Sequence, residues 1–280
     1  MSKPWILVSP ASRGIGHALT RHLLRTTTAP VLATARADLP GVRASILDNL
    51  TPASSSPPFT EAEVSKRLHL TQVDVTQEPS LESASAEASA LFPTATHHLR
   101  LAFALPGVLH AEKSPREVDY ADALHTLQVN ALGPLLLMKW FGSFLPRRGT
   151  ALSPLSPTEN EEEGTQAHAT FLAASARVGS TSDNGLGGWY TYRASKAAVN
   201  SLTKTFDLHL RARCAGCALA IAYHPGTVRT DLSREFWGRV SPEKLFSPEY
   251  AVERMLEVVR TRTVADRGRC WDWRGQEVLP

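Results

Sequence analysis

"WILVSPASRGIG", residues 5–16, opens with five residues that read as a short strand and then runs through a polar turn into two glycines. From residue 14 to 26 apolar residues recur at helical spacing, so the turn joins a strand to a helix. Gly14 and Gly16 permit a tight turn and close approach of the backbone to a ligand. The N-terminus of the helix presents free N–H groups and a positive dipole end, the arrangement that binds a pyrophosphate.

The same alternation continues outward. "VLATA" (31–35), "LHLTQVDV" (68–75), "LRLAFAL" (99–105), "ATFLAAS" (169–175), "ALAIAYH" (218–224) and "GRCWDW" (268–273) read as further strands. Between most of them lie helical patterns at 77–91, 119–145, 189–212 and 247–262. Strands separated by helices imply parallel β-α-β units, hence an α/β fold: a doubly wound parallel sheet, Rossmann-like, with helices on both faces. Two stretches break the rhythm, 48–62 ("DNLTPASSSPPFTEA") and 151–167 ("ALSPLSPTENEEEGTQA"). Both are rich in Ser, Pro or acidic residues and read as loop insertions. The alternation resumes after each, so residues 1–280 are expected to form a single domain.

Composition narrows the classes of function. The chain has 280 residues, 42% of them hydrophobic, and a net charge of +3 without any block of Lys or Arg. Neither nucleic acid nor an anionic membrane is indicated as a partner. The ten histidines are scattered without ligand spacing, so no metal is expected. Three cysteines, Cys214, Cys217 and Cys270, are too few and too odd in number for a secreted disulfide framework. "CAGC" (214–217) follows a helix instead of opening one, and reads as a turn with ordinary thiols. The first apolar run is shorter than a signal-peptide core and nothing approaches a membrane span, so a cytoplasmic location is expected.

A second stretch carries chemistry. In "GGWYTYRASKAAVN" (187–200) a helix begins near Trp189, which places Tyr192 and Lys196 on one face, four residues apart, while Tyr190 is followed at that offset by Ala194. A phenol ordinarily titrates near pH 10, and a neighbouring ammonium favours its ionised form. Tyr192 is therefore the candidate acid/base, against the alternative of an incidental aromatic and a solvated lysine. Asn130, in the apolar "HTLQVNALGPLLLMKW" (125–140), needs partners if buried, whether functional or a backbone carbonyl.

Taken in register, these segments resemble the short-chain dehydrogenase/reductase family: the glycine turn after the first strand, Asn130 in the fifth helix, Y-x-x-x-K from Tyr192 to Lys196, and P-G followed by Thr in "HPGTVRTDLS" (224–233). "RVGSTSDNGLGGWYTYRASKAAVN" and the ending "WDWRGQEVLP" are similar to its C-factor-like and sniffer-like branch. The resemblance covers nearly the whole chain. It implies that Ser9, Ser12, Arg13, Gly14, Ile15 and Gly16 cradle the nucleotide, that Asp74 holds its adenine, and that Val228 and Thr230 meet the nicotinamide end. It further implies that Asn130 links Lys196 to solvent through water, and that Lys196 lowers the pKa of Tyr192 while bonding the nicotinamide ribose. Arg13 and Arg36, the latter closing the second strand where a carboxylate would favour NAD, suit a 2′-phosphate, so NADP(H) is the expected cofactor. A small carbonyl or alcohol is the expected substrate, and a homo-oligomer paired through the helices at 119–145 and 189–212 the expected assembly.

The sequence departs from the family at three points. Pro10 stands where a glycine is usual, removing one N–H from the turn. Ala104, Leu105, Pro106 and Gly107 replace N-N-A-G. Ala176 occupies the position of the catalytic serine in "SARVGS" (175–180). Ser175 should point to the other side of the strand, which leaves Ser180 as the expected donor to the substrate oxygen. Two classes of function stay open: an NADPH-dependent carbonyl reductase or alcohol dehydrogenase, and a nucleotide-binding regulatory or signalling protein on the same fold. "SREFWGRVSPEKLF" (233–246) lies where a lid would, and Phe236, Trp237 and Phe246 suit either an apolar pocket or the core.

Overall fold

A computed structural model describes residues 1–50, 60–155 and 168–280. The central parts of both expected insertions, 51–59 and 156–167, lie outside the described residues. The strands are β1 (Lys3–Ser9), β2 (Val31–Ala35), β3 (Leu68–Gln72), β4 (His97–Ala104), β5 (Ala169–Ala174), β6 (Ala218–His224), β7 (Thr227–Val228), β8 (Leu245–Phe246), β9 (Cys270–Asp272) and β10 (Glu277–Val278). The α-helices are α1 (Gly14–Thr26), α2 (Leu39–Leu47), α3 (Glu61–Arg67), α4 (Glu78–Leu91), α5 (Tyr120–Leu127), α6 (Gly133–Phe141), α7 (Tyr190–Cys214) and α8 (Pro248–Thr261).

Eight strands form one sheet in the order β10-β9-β6-β5-β4-β1-β2-β3, with β7 and β8 paired separately. Neighbours in the large sheet are parallel except β9 and β10. Apolar residues alternate between two cores because successive side chains of a strand leave opposite faces. From β1, Ile6 and Val8 join Leu19 and Leu23 of α1 and Met255 and Val259 of α8 on one face. Trp5 and Leu7 join Leu81 of α4, Phe141 of α6 and Val199 of α7 on the other. The strand order reverses direction between β1 and β4, and the C-terminal ends of strands flanking such a switch form a crevice.

Two expected strands and one expected helix differ in extent or continuity. β9 keeps only Cys270–Asp272 of the expected 268–273. β3 stops at Gln72, short of the expected 75, because Asp74 turns to bond Thr76. The helix expected over 119–145 is interrupted: α5 and α6 are separated by a π-helical turn, Gln128–Leu132. Pro134 has no N–H for the carbonyl of Asn130, and the N–H of Gly133 reaches back five residues to Gln128. α3 was not anticipated, although Thr60 and Glu63 form the reciprocal capping box that S/T-x-x-E signals. Nor were α2, β7, β8 and β10.

Candidate active site

α7 starts abruptly. Gly187 and Gly188 have φ of +66° and +67°, and Trp189, a bulky residue, follows at +53°, a strained conformation held by its N–H donating to the Glu112 carbonyl at 2.6 Å. One turn later Tyr192 and Lys196 are buried on the face turned to the sheet, while Tyr190 is 43% exposed. The loop after β5 packs directly on this turn: a Cβ at Gly179 would lie 2.6 Å from the Lys196 carbonyl carbon. Lys196 Nζ donates to the Ala174 carbonyl at 2.8 Å and lies 5.7 Å from the centre of the Tyr192 ring.

Two clefts meet at Tyr192. The first, about 680 Å³, runs along the turn from Pro10 to Gly16, the 105–110 loop, Lys196 and Thr230. The second, about 930 Å³, runs past Ala176, Trp189, His224, Val228 and Phe236. Tyr192 lines both, Lys196 only the first, and Ala176 only the second.

The first cleft suits a diphosphate. Its floor is the N-terminus of α1, where Arg13 caps no N–H with its side chain and the first turn holds no acidic residue. The free N–H groups and dipole are thus left for an anion. Gly14 has φ +57°, and Gly16 admits no side chain because a Cβ would sit 1.9 Å from the Pro10 carbonyl oxygen. Arg13 and Arg229 line the cleft as cations, and Arg13 faces Asp231 at 3.9 Å.

Not every expected residue reaches a cleft. Gly14, Ile15, Gly16, Arg13, Thr230, Tyr192 and Lys196 line the first, and Val228 the second. Ser9 is buried, accepting a bond from Thr34 Oγ1 at 2.8 Å, and Ser12 is exposed; neither lines a cleft. Arg36 and Asp74 stand together past the ends of β2 and β3, beyond the cleft lining. Burial alone would raise the Asp74 pKa, but bonds from Thr76, with the charge of Arg36, hold it below the usual value. Asn130 is fully buried in the π turn. It clamps the 105–110 loop, accepting from the Val108 N–H and donating to the Val108 carbonyl, both at 2.8 Å, and it donates to Ser195 Oγ at 3.1 Å. Its partners are thus a backbone and a hydroxyl, not Lys196.

Two expectations are corrected. Ser180 is 1% exposed, lines neither cleft, and accepts the Asp183 N–H at 3.0 Å, a bond that turns its hydroxyl into the loop. Lys196 does not lower the Tyr192 pKa in the chain alone: burial pushes the phenol up to about 12, and the lysine itself falls to about 8 for the same reason. Its ammonium is engaged by Ala174 and not by the phenol oxygen. Of the lid aromatics, Phe236 packs at a tilt on Trp189, ring centres 4.9 Å apart, and lines the second cleft. Trp237 bonds Ser233 Oγ, and Phe246 packs on Trp273. His224 and Trp189 were not anticipated as cleft residues; the H-P-G and G-G-W stretches were the only signals.

No family model matches the chain. It is 33% identical over 164 residues, 58% of this chain and 81% of the other, to C-signal of Myxococcus xanthus. Over 197 residues, 70% of this chain and 74% of the other, it is 30% identical to 1-hydroxy-2-glutathionyl-2-methyl-3-butene dehydrogenase of Rhodococcus sp. (strain AD45). In three dimensions it superposes along the full length of both chains, with a TM-score of 0.77 and 26% identity, on NADPH-bound carbonyl reductase from chicken fatty liver.

Proposed function

The chain belongs to the short-chain dehydrogenase/reductase family, and from that premise we propose that it is an NADP(H)-dependent oxidoreductase interconverting a carbonyl and an alcohol. The observation that carries the reading is the position of Tyr192 where the two clefts join, so that one phenol faces both a nucleotide and a substrate. The first cleft would hold NADPH, which when bound would supply the hydride for a carbonyl carbon in the second. The free N–H groups of α1 would hold its diphosphate and the guanidinium of Arg13 its 2′-phosphate. Tyr192, a neutral phenol because burial holds its pKa near 12, gives its proton to the substrate oxygen. Lys196, protonated below about pH 8, offsets the negative charge Tyr192 then acquires and binds the nucleotide's ribose from its place on the first cleft. Asn130 keeps the 105–110 wall of that cleft in place through Val108.

A panel of aldehydes and ketones, followed by NADPH oxidation, tests this. Turnover is expected in the wild type and should be lost in Tyr192→Phe with NADPH binding intact; a wild type that binds NADPH and reduces nothing would refute the reading. The second reading, a nucleotide-binding regulatory protein without turnover, is favoured by Ala176, and it predicts that outcome. We further infer a homo-oligomer, since Leu124 on α5, Leu132 in the π turn, Leu135 on α6 and Leu208 on α7 expose apolar side chains. Light scattering that returned only the 30.5 kDa monomer would refute it.

A further inference from the structure

The reductase reading leaves the substrate oxygen with a single donor, the Tyr192 hydroxyl, because Ala176 presents only a methyl group to the second cleft. Neither adjacent hydroxyl makes up the loss. Ser175 donates to Asn200 Oδ1 at 2.6 Å, and Ser180 is turned into its own loop by Asp183. A missing donor of this kind costs on the order of 10²–10³ in rate.

We propose that His224 supplies the second donor, its imidazole N–H bonding the substrate carbonyl oxygen beside Tyr192; the inference rests on the reductase reading above. Position comes first. His224 ends β6, and the register of β5 with β6, Ala174 opposite Tyr223, sets it across from Ser175 and next to Ala176. It lines the same cleft as Ala176 and Tyr192.

Availability comes second. Among the described residues no hydrogen bond reaches the ring, and Nδ1 is buried without a partner. The nearest carboxylate on β9, Asp272, pairs with His224 in register but is already committed. Its Oδ1 accepts the N–H groups of Arg274 and Gln276, and its Oδ2 meets Arg177 at 2.8 Å. A polar ring left unpaired beside a cleft is costly, and such groups call for a partner the protein alone does not show. Nε2, unlike Nδ1, is not sealed from solvent. With the proton on Nε2, the nitrogen buried at Nδ1 is a lone pair and not an orphaned N–H, and the donor faces the cleft.

Charge comes third. Burial, with Arg177 adding to it, draws the imidazole pKa down to about 4, so the ring is neutral across the physiological range. It therefore acts as a fixed dipole, stabilising the oxygen as charge develops without giving up its own proton. That proton still comes from Tyr192, and the stoichiometry of the reduction is unchanged.

The test compares His224→Leu, His224→Gln, Ala176→Ser and the double variant His224→Leu/Ala176→Ser, using NADPH and an aldehyde that the wild type reduces. His224→Leu should lower kcat/KM for the aldehyde about 100-fold, with the NADPH dissociation constant changed by less than about twofold. His224→Gln, which keeps an N–H donor, should retain at least about one tenth of wild-type kcat/KM, and adding Ala176→Ser to His224→Leu should recover about tenfold or more. Ala176→Ser should gain less in the wild-type background than in His224→Leu, because the oxygen is already served. Full activity in His224→Leu, or no recovery in the double variant, would overturn the role of His224. Should His224→Leu not fold, a tenfold gain from Ala176→Ser alone would overturn it as well, since the donor position would then be vacant. NADPH binding without reduction of any carbonyl in the wild type would instead defeat the reductase reading, and the role of His224 with it.

Discussion

Replacing Gly16 by alanine would place a methyl carbon 1.9 Å from the Pro10 carbonyl oxygen and 3.0 Å from its carbon. Neither side can give way cheaply. The turn that carries this carbonyl is tied on both flanks, the Ala11 N–H to the Thr34 carbonyl and the Leu105 N–H to the Ser9 carbonyl, each at 2.7 Å. Gly16 itself lies in the first turn of α1, whose Leu19 and Leu23 are anchored in the core. Overpacking of a rigid contact costs about 1–3 kcal/mol, and a backbone oxygen with no freedom to retreat belongs at the upper end, about 3 kcal/mol. For a chain of this size each kcal/mol lowers the melting midpoint by about 2–4 °C, so a fall of about 6–12 °C is expected. The same displacement moves the N–H groups that hold the nucleotide. Saturating NADPH at about 100 times its dissociation constant should stabilise the wild type by about 2.7 kcal/mol, and the variant by much less. Thermal melts of both proteins with and without NADPH measure the two effects together. Gly107→Ala is the control: it lines the same cleft, nothing lies within 4 Å of its added carbon, and its midpoint should match the wild type. A Gly16→Ala protein melting within about 2 °C of the wild type, with an undiminished NADPH shift, would refute the steric argument.

Arg13→Ala should weaken NADPH binding by about 1.5–3 kcal/mol while leaving NADH nearly unaffected, which calorimetry on both nucleotides would measure; the Arg36 substitution offers the same comparison from outside the cleft lining. Lys196 titrates at about 8 when folded against 10.5 in its unperturbed state, so the unfolded chain binds more protons between those values and this group's unfavourable contribution is relieved as pH rises through that window. Lys196→Met should accordingly be more stable than the wild type at pH 7, with the gap closing toward pH 10.5 in denaturant titrations. Arg267→Met should cost about 3–5 kcal/mol by the same measurement, because it leaves Asp207, 1% exposed and bonded to Arg267 Nε at 2.8 Å, without its ion pair.

Much of this architecture was legible because it depends on local pattern. Five of the seven expected strands overlap observed ones almost end to end, and the i, i+4 offset alone picked Tyr192 over Tyr190. What failed depends on partners distant in sequence. Nothing in "SARVGS" reveals that the Asp183 N–H turns Ser180 inward, and nothing in Y-x-x-x-K reveals that Lys196 bonds the Ala174 carbonyl, which sets the balance between burial and charge at the phenol. Two misses had signals that were present: the capping box at Thr60, and Pro134 inside an otherwise regular helical period. His224 had only the H-P-G stretch, because a ring left without a hydrogen-bond partner among the described residues shows only in the fold.

The π turn at Gln128–Leu132 also sets the rotational phase of everything after it. Each residue of an α-helix advances the azimuth by about 100°, and a wide turn absorbs one residue without the corresponding advance. Rewinding the same residues as one continuous α-helix would therefore bring α6 out swung by roughly that angle. Leu137, Met138 and Phe141 would then leave the sheet, and the neighbours now facing outward, among them Lys139, would be driven against it. A one-residue deletion within this turn would instead restore a regular helix with α6 in its present phase, whereas the same deletion inside α5 would put the two parts of the layer out of phase.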